Sequence, residues 1–166
     1  MRDYDVYQLE AAFFEAMRQG YATDSKANRT PIDLPGAKMI RIPVGDLVVT
    51  DLWQVTEHSV RSFGTTTISL GNDLLWMMHY WGWYHESVTS LLKKALAIEY
   101  TKSLEHPRTF LGCRGPRAFW DNSNPLVYIN VPRDQSDFGD FAGREEIIFA
   151  PTNSSLGWHR YHGGVL

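Results

Sequence analysis

The sequence has almost no cysteine: Cys113 is the only one among 166 residues. It cannot form an internal disulfide, so the chain suits a reducing compartment, and as a lone thiol beside Arg114 it is read as incidental rather than catalytic. Paired-cysteine zinc motifs are excluded with it, and no two histidines stand at the i, i+4 spacing of a helical metal site. Runs of one charge sign are also missing. The 16 basic and 19 acidic residues are scattered, for a net charge of −3. No Lys or Arg cluster supplies the footprint that phosphate contacts need, so nucleic acid is not an expected partner. The most apolar stretch, Leu74 to Tyr84, is too short to span a bilayer and contains His79. The opening MRDYDVYQLE lacks the apolar core of a signal peptide. The expectation is a cytoplasmic protein without membrane contact. Phosphate loops of the GxxxxGK[ST] or GxGxxG type and a GxSxG elbow are absent too. Neither a cofactor nor a metal is expected.

What is abundant is aromatic. Six Trp, 8 Tyr and 8 Phe make up 13% of the chain. Such residues fit the half-buried face of a sheet, and they also make good pocket walls. At 166 residues the chain fits one domain with a real core. Val6, Leu9, Phe13 and Met17 recur at helical spacing, with Gly20 as a stop, which predicts a helix over 5–19. Residues 22–36 read as a loop. Strands are predicted at Met39 to Val44, Leu47 to Gln54, Thr65 to Leu70 and Leu75 to Trp81. A second helix over 86–102 carries Val88, Leu91, Leu92, Ala95, Leu96 and Ile98 as its apolar stripe. After an irregular stretch, His106 to Pro116, strands resume at Arg117 to Trp120, Leu126 to Val131, Arg144 to Phe149 and Gly157 to His162.

A shift of 79 residues lays Leu47-Val48 on Leu126-Val127, Gly64 on Gly143 and Ile68 on Ile147. A shift of 81 lays Tyr80-Trp81-Gly82 on Tyr161-His162-Gly163. The expected fold class is therefore α+β, a mainly antiparallel sheet from two helix-plus-meander repeats (37–84 and 117–166) with two main helices.

Four stretches carry a family resemblance: Trp76-Met77-Met78-His79-Tyr80-Trp81-Gly82, Arg114-Gly115-Pro116, Phe141-Ala142-Gly143-Arg144-Glu145-Glu146-Ile147 and Tyr161-His162-Gly163-Gly164. From about Gly36 to the C-terminus the chain resembles a bacterial family of unknown function with patterns W-x-M-N-Y-Y-G, R-G-P, F-x-G-x-E-x-I and Y-H-G-G. Some members follow a helix-turn-helix module, which implies ligand sensing for them. This chain departs from that pattern, because its first 36 residues hold one helix, too little for a DNA-reading module. It also has His79 in place of Asn, and Thr66 where the first-copy motif often has an acid. The resemblance implies a shared fold and lends no activity.

Strand alternation puts Glu145, Ile147 and Phe149 on one face and Arg144, Glu146 and Ile148 on the other. A carboxylate on an inner face must be paired, hydrogen-bonded or protonated. With a turn near Thr152-Asn153, Glu145 comes opposite His159 to Tyr161, so Glu145, His159 and Tyr161 form one expected cluster. The first-copy equivalents are Thr66, Met78 and Tyr80, so the second copy alone is expected to carry titratable groups. His159 and His162, three apart on a strand, face opposite ways and cannot share a metal.

Three readings stay open. The first is a small-molecule-binding domain walled by Trp76, Tyr80, Trp158 and Tyr161, with Glu145 and Arg114 as polar contacts. The alternative is an acid–base enzyme, a hydrolase, isomerase or cyclase, with Glu145 as base, His159 as acid or orienting partner and Tyr161 as donor. The third is an interaction module in which the Trp81-Trp83-Tyr84 corner docks a partner or a second copy in a homodimer. Against all three stands a structural role, in which Arg114 or backbone holds Glu145 simply to pin the fold.

Overall fold

The computed structural model describes residues 4–20, 29–102 and 110–166; the expected irregular stretch around His106 lies partly outside them. Among the described residues two α-helices, α1 (Val6–Gly20) and α2 (Thr89–Lys102), accompany nine strands. These are β1 (Arg29–Thr30), β2 (Ala37–Val44), β3 (Leu47–Thr56), β4 (Ser59–Leu70), β5 (Asp73–Tyr84), β6 (Ala118–Trp120), β7 (Leu126–Pro132), β8 (Asp140–Phe149) and β9 (Ser154–Val165). All pair antiparallel in one sheet of order β1-β2-β3-β4-β5-β9-β8-β7-β6. The chain thus runs from an edge to the middle twice, once from each side, as two meanders that meet at the β5–β9 seam. The α+β, mainly antiparallel architecture is the one that the strand spacing predicts. No helix among the described residues is long and apolar enough to cross a membrane.

Both helices serve one face of this sheet. Leu9, Phe13 and Met17 of α1 are buried, whereas Val6 in the first turn is exposed. Gly20 ends the helix where a side chain would strike Ile40 and Ile42 of β2. Burying an aliphatic or aromatic side chain of this size is worth about 1.5–3 kcal/mol, so the apolar stripe of α1 is what docks it. His85 caps the 3-10 turn Glu86–Val88 that leads into α2, its Nδ1 accepting the Ser87 N–H at 3.3 Å. Leu91, Leu92, Ala95 and Leu96 are buried while Lys93 and Lys94 face water.

Register decides which side chains meet on the covered, inner face. Tyr80 of β5 lies opposite Tyr161 of β9 at the seam. On one side of that pair runs the row Asp51, Thr66, Met78, Gly163, Phe141; on the other runs Ser62, Gly82, His159, Glu145, Asn130. Each tyrosine lies over a glycine of the neighbouring strand. A Cβ on Gly64 would collide with the Tyr80 ring, and one on Gly143 with the Tyr161 ring. Glycine is required at both places because a ring occupies the space a side chain would take.

Candidate functional site

The middle of β8 carries the most deeply buried charge. Alternation turns Glu145 and Ile147 inward with no exposed surface, while Arg144 is exposed. Residues 111–115, ahead of β6, lie over this face and bring Arg114 onto the carboxylate. Nε and Nη2 of Arg114 donate to Glu145 Oε1 at 2.9 and 2.5 Å, and Tyr128 Oη donates to Oε2 at 2.6 Å. Burial raises the Glu145 pKa, but the guanidinium charge and the hydrogen bonds outweigh it and hold the group down to about 2. Glu145 is therefore a fixed anion near neutral pH and a poor base. The role of general base does not suit it.

His159 stands beside that anion, directly across from Glu145 in register. Its two ring nitrogens face different groups. Nε2 lies 3.2 Å from Ser62 Oγ on β4, and Nδ1 lies 3.6 Å from Glu145 Oε1. The second separation is too long for a hydrogen bond, and Nδ1 is buried with no hydrogen-bond partner among the described residues. Gly82 makes the first contact feasible. It intervenes between His159 and Ser62 in register, and a Cβ there would come within 2.6 Å of His159 Cδ2. Burial lowers the His159 pKa, and Arg114 lowers it further against the pull of Glu145, so the ring is neutral at physiological pH. The Tyr84 ring packs edge-on against it at 4.7 Å, and the Tyr80 ring lies tilted at 5.8 Å.

A second carboxylate lies across the seam, where the sequence pattern predicts no titratable group. Asp51 of β3 is 3% exposed; its Oδ1 accepts from Thr66 Oγ1 at 2.8 Å and from Tyr80 Oη at 3.0 Å. Burial raises its pKa, and the two hydroxyls and the charge of Arg114 offset only part of that rise. This corrects the expectation that only the second half carries ionisable side chains. The signal was present: Asp51 shares its face with Leu47 and Val49 in a strand that otherwise reads as apolar. The position matching Asp51 in the other half is Asn130, whose Oδ1 accepts from Tyr161 Oη at 2.7 Å while its Nδ2 donates to Leu111 and Gly115 carbonyls.

The structure therefore gathers Glu145, His159, Arg114 and Tyr80 around one point, with the Arg114 guanidinium 5.3 Å from the centre of the Tyr80 ring. Tyr161 lies on the same face but bonds Asn130 rather than Glu145. Trp76 is core, stacked at 4.7 Å on Phe138 and donating its indole N–H to the Phe138 carbonyl. Trp158 is on the opposite face, edge-on to Trp81 and under the Arg144 and Arg160 guanidinium groups. It cannot wall a pocket around Glu145, because residues 158 and 159 of one strand must point to opposite sides. The same rule sends His162 outward, away from His159, where it meets His79. Among the described residues, no group of three or more His, Cys, Asp or Glu could hold a metal ion. Cys113 is buried, with its thiol pKa pushed well up by burial, which makes it inert. Ser62 and Tyr84, half-buried at the margin of the cluster, mark where it approaches solvent.

Comparison with protein-family models, with curated proteins and with solved structures returns no match.

Proposed function

We propose that the protein is a small-molecule-binding domain whose ligand lies on the inner face against Tyr80, Tyr84 and His159 and reaches the Arg114–Glu145 pair. The observation that carries this reading is the buried Nδ1 of His159, which has no hydrogen-bond partner among the described residues and lies beside a desolvated ion pair. Buried polar atoms are nearly always satisfied, and those that are not gather at functional sites. A sheet needing only stability would do as well with apolar side chains in these places. Tyrosine rings beside one guanidinium and one carboxylate suit a small organic molecule bearing a carbonyl or hydroxyl group.

The matching tyrosine–glycine pairs on the two sides of the seam support a further part of the reading: the halves are copies of one meander, and the second acquired the ion pair. The motif resemblance to a bacterial family of unknown function fits the same picture.

A thermal-shift screen with a panel of small carboxylates, amines and esters tests the proposal. At least one class should raise the Tm of the wild type. Glu145→Gln, measured against its own unliganded Tm, should lose that shift. A panel without effect on the wild type would overturn the reading.

A second reading, an interface with another copy of the chain, draws on one observation. On the outer face Phe63, 55% exposed, stacks on Trp81 at 6.3 Å, and Trp158 continues the stripe. Sedimentation velocity separates the readings: a concentration-independent monomer would remove the interface.

A further inference from the structure

We propose that Ser62, His159 and Glu145 form a nucleophile–base–carboxylate relay, and that the molecule taken by the inner-face site is a small carboxylic ester cleaved through Ser62 Oγ. The inference rests on the small-molecule reading of that site and deepens it by naming a reaction and a substrate class.

A hydroxyl, an imidazole and a carboxylate stand in sequence, Ser62 Oγ to His159 Nε2 at 3.2 Å and His159 Nδ1 to Glu145 Oε1 at 3.6 Å. The hydroxyl and the carboxylate use opposite nitrogens of the ring, as a relay requires. The three residues come from three different strands, and Ser62 and His159 are 97 positions apart. Register places Ser62, Gly82, His159 and Glu145 in one row, and the missing side chain at Gly82 lets the imidazole span the strand between. The long Nδ1 contact is the sort that tightens when a substrate arrives, since catalytic hydrogen bonds are often loose in unliganded proteins.

Each member is also held in the state its role needs. Arg114 and Tyr128 fix both oxygens of Glu145 and keep it ionised, so it orients the ring and stabilises the imidazolium without taking the proton. His159 rests neutral, ready to accept. Ser62 is half-buried at the margin, whereas its two partners are buried.

In the reaction, Ser62 Oγ attacks the ester carbonyl carbon and its proton passes to His159 Nε2. The tetrahedral adduct collapses, the bond to the leaving alcohol breaks, and that oxygen takes the proton from His159. Water then attacks the acyl-serine, giving its proton to His159. The acid departs as Ser62 recovers its proton.

Incubation of the full chain with a fluorophosphonate, followed by intact-mass and peptide analysis, tests the relay. One adduct on Ser62 is expected, together with a burst and turnover of p-nitrophenyl acetate. Both should vanish in Ser62→Ala and fall about a hundredfold or more in His159→Phe. Should His159→Phe fail to fold, Ser62→Ala still decides, because it removes a single half-buried oxygen. No adduct on Ser62 under conditions that label a known serine esterase would overturn the relay, as would turnover undiminished in Ser62→Ala. If the ester panel still shifts the wild-type Tm in that case, the relay falls while the binding site stands; if neither labelling nor any shift is seen, both fall together.

Discussion

The two halves of the sheet put different chemistry on equivalent ground. Beside Tyr80 the carboxylate is Asp51, one strand beyond Thr66, and it is satisfied by two neutral hydroxyls. Beside Tyr161 the matching place holds Asn130, and the carboxylate has moved to Glu145, where Thr66 stands in the first half. One exchange of position changes the electrostatics. Asp51, without a guanidinium in hydrogen-bond contact, is shifted toward its neutral form by burial, while Glu145, clasped by Arg114, stays charged. The first half keeps a quiet polar contact. The second holds an anion next to an imidazole.

Removing one partner of the ion pair would undo this difference most completely. Glu145→Ala removes the buried carboxylate that Arg114 Nε and Nη2 bond and should cost about 3–5 kcal/mol of unfolding free energy, read by urea denaturation. The double variant Arg114→Met with Glu145→Leu should recover most of that loss, since a buried pair is rarely better than an apolar replacement. A double variant as unstable as the single would mean that the pair itself holds the sheet together.

A smaller effect sharpens the contrast across the seam. Tyr80→Phe and Tyr161→Phe each delete one hydroxyl on equivalent acceptors, Asp51 and Asn130. If burial keeps Asp51 largely protonated, both variants should lose a similar amount, about 0.5–1.5 kcal/mol, the net worth of a neutral hydrogen bond. A loss at Tyr80 nearer 3 kcal/mol, the range for a charged acceptor, would show Asp51 ionised and the two halves alike in charge.

Much of this site could be read from strand alternation alone. The inward turn of Glu145, its place opposite His159 and the outward turn of His162 all follow from a period of two. Trp158 obeys the same rule and points outward; placing it in the pocket took closeness in sequence for closeness in space. Trp76 points to the predicted face but lies too deep; nothing local marks how far α1 and the Phe138 and Phe141 rings press down on it. Asp51 was hidden by apolar neighbours, and a lone acid on the inner side of such a strand is the signal to look for. Ser62 was out of reach, because its approach to His159 depends on how β4, β5 and β9 pair.

The ionisation of Glu145 tests the account most directly. A carboxyl-carbon NMR titration of the native protein should find Glu145 still charged well below pH 4.5, with a midpoint of about 2, and the His159 imidazole titrating below its ordinary 6.5. Because the Glu145 pKa falls on folding, its contribution to stability should be complete above pH 4.5 and fade as pH drops toward 2, a window that disappears in Glu145→Gln. A native-state midpoint near 4.5 would mean that Arg114 does not hold the carboxylate, and would contradict the account.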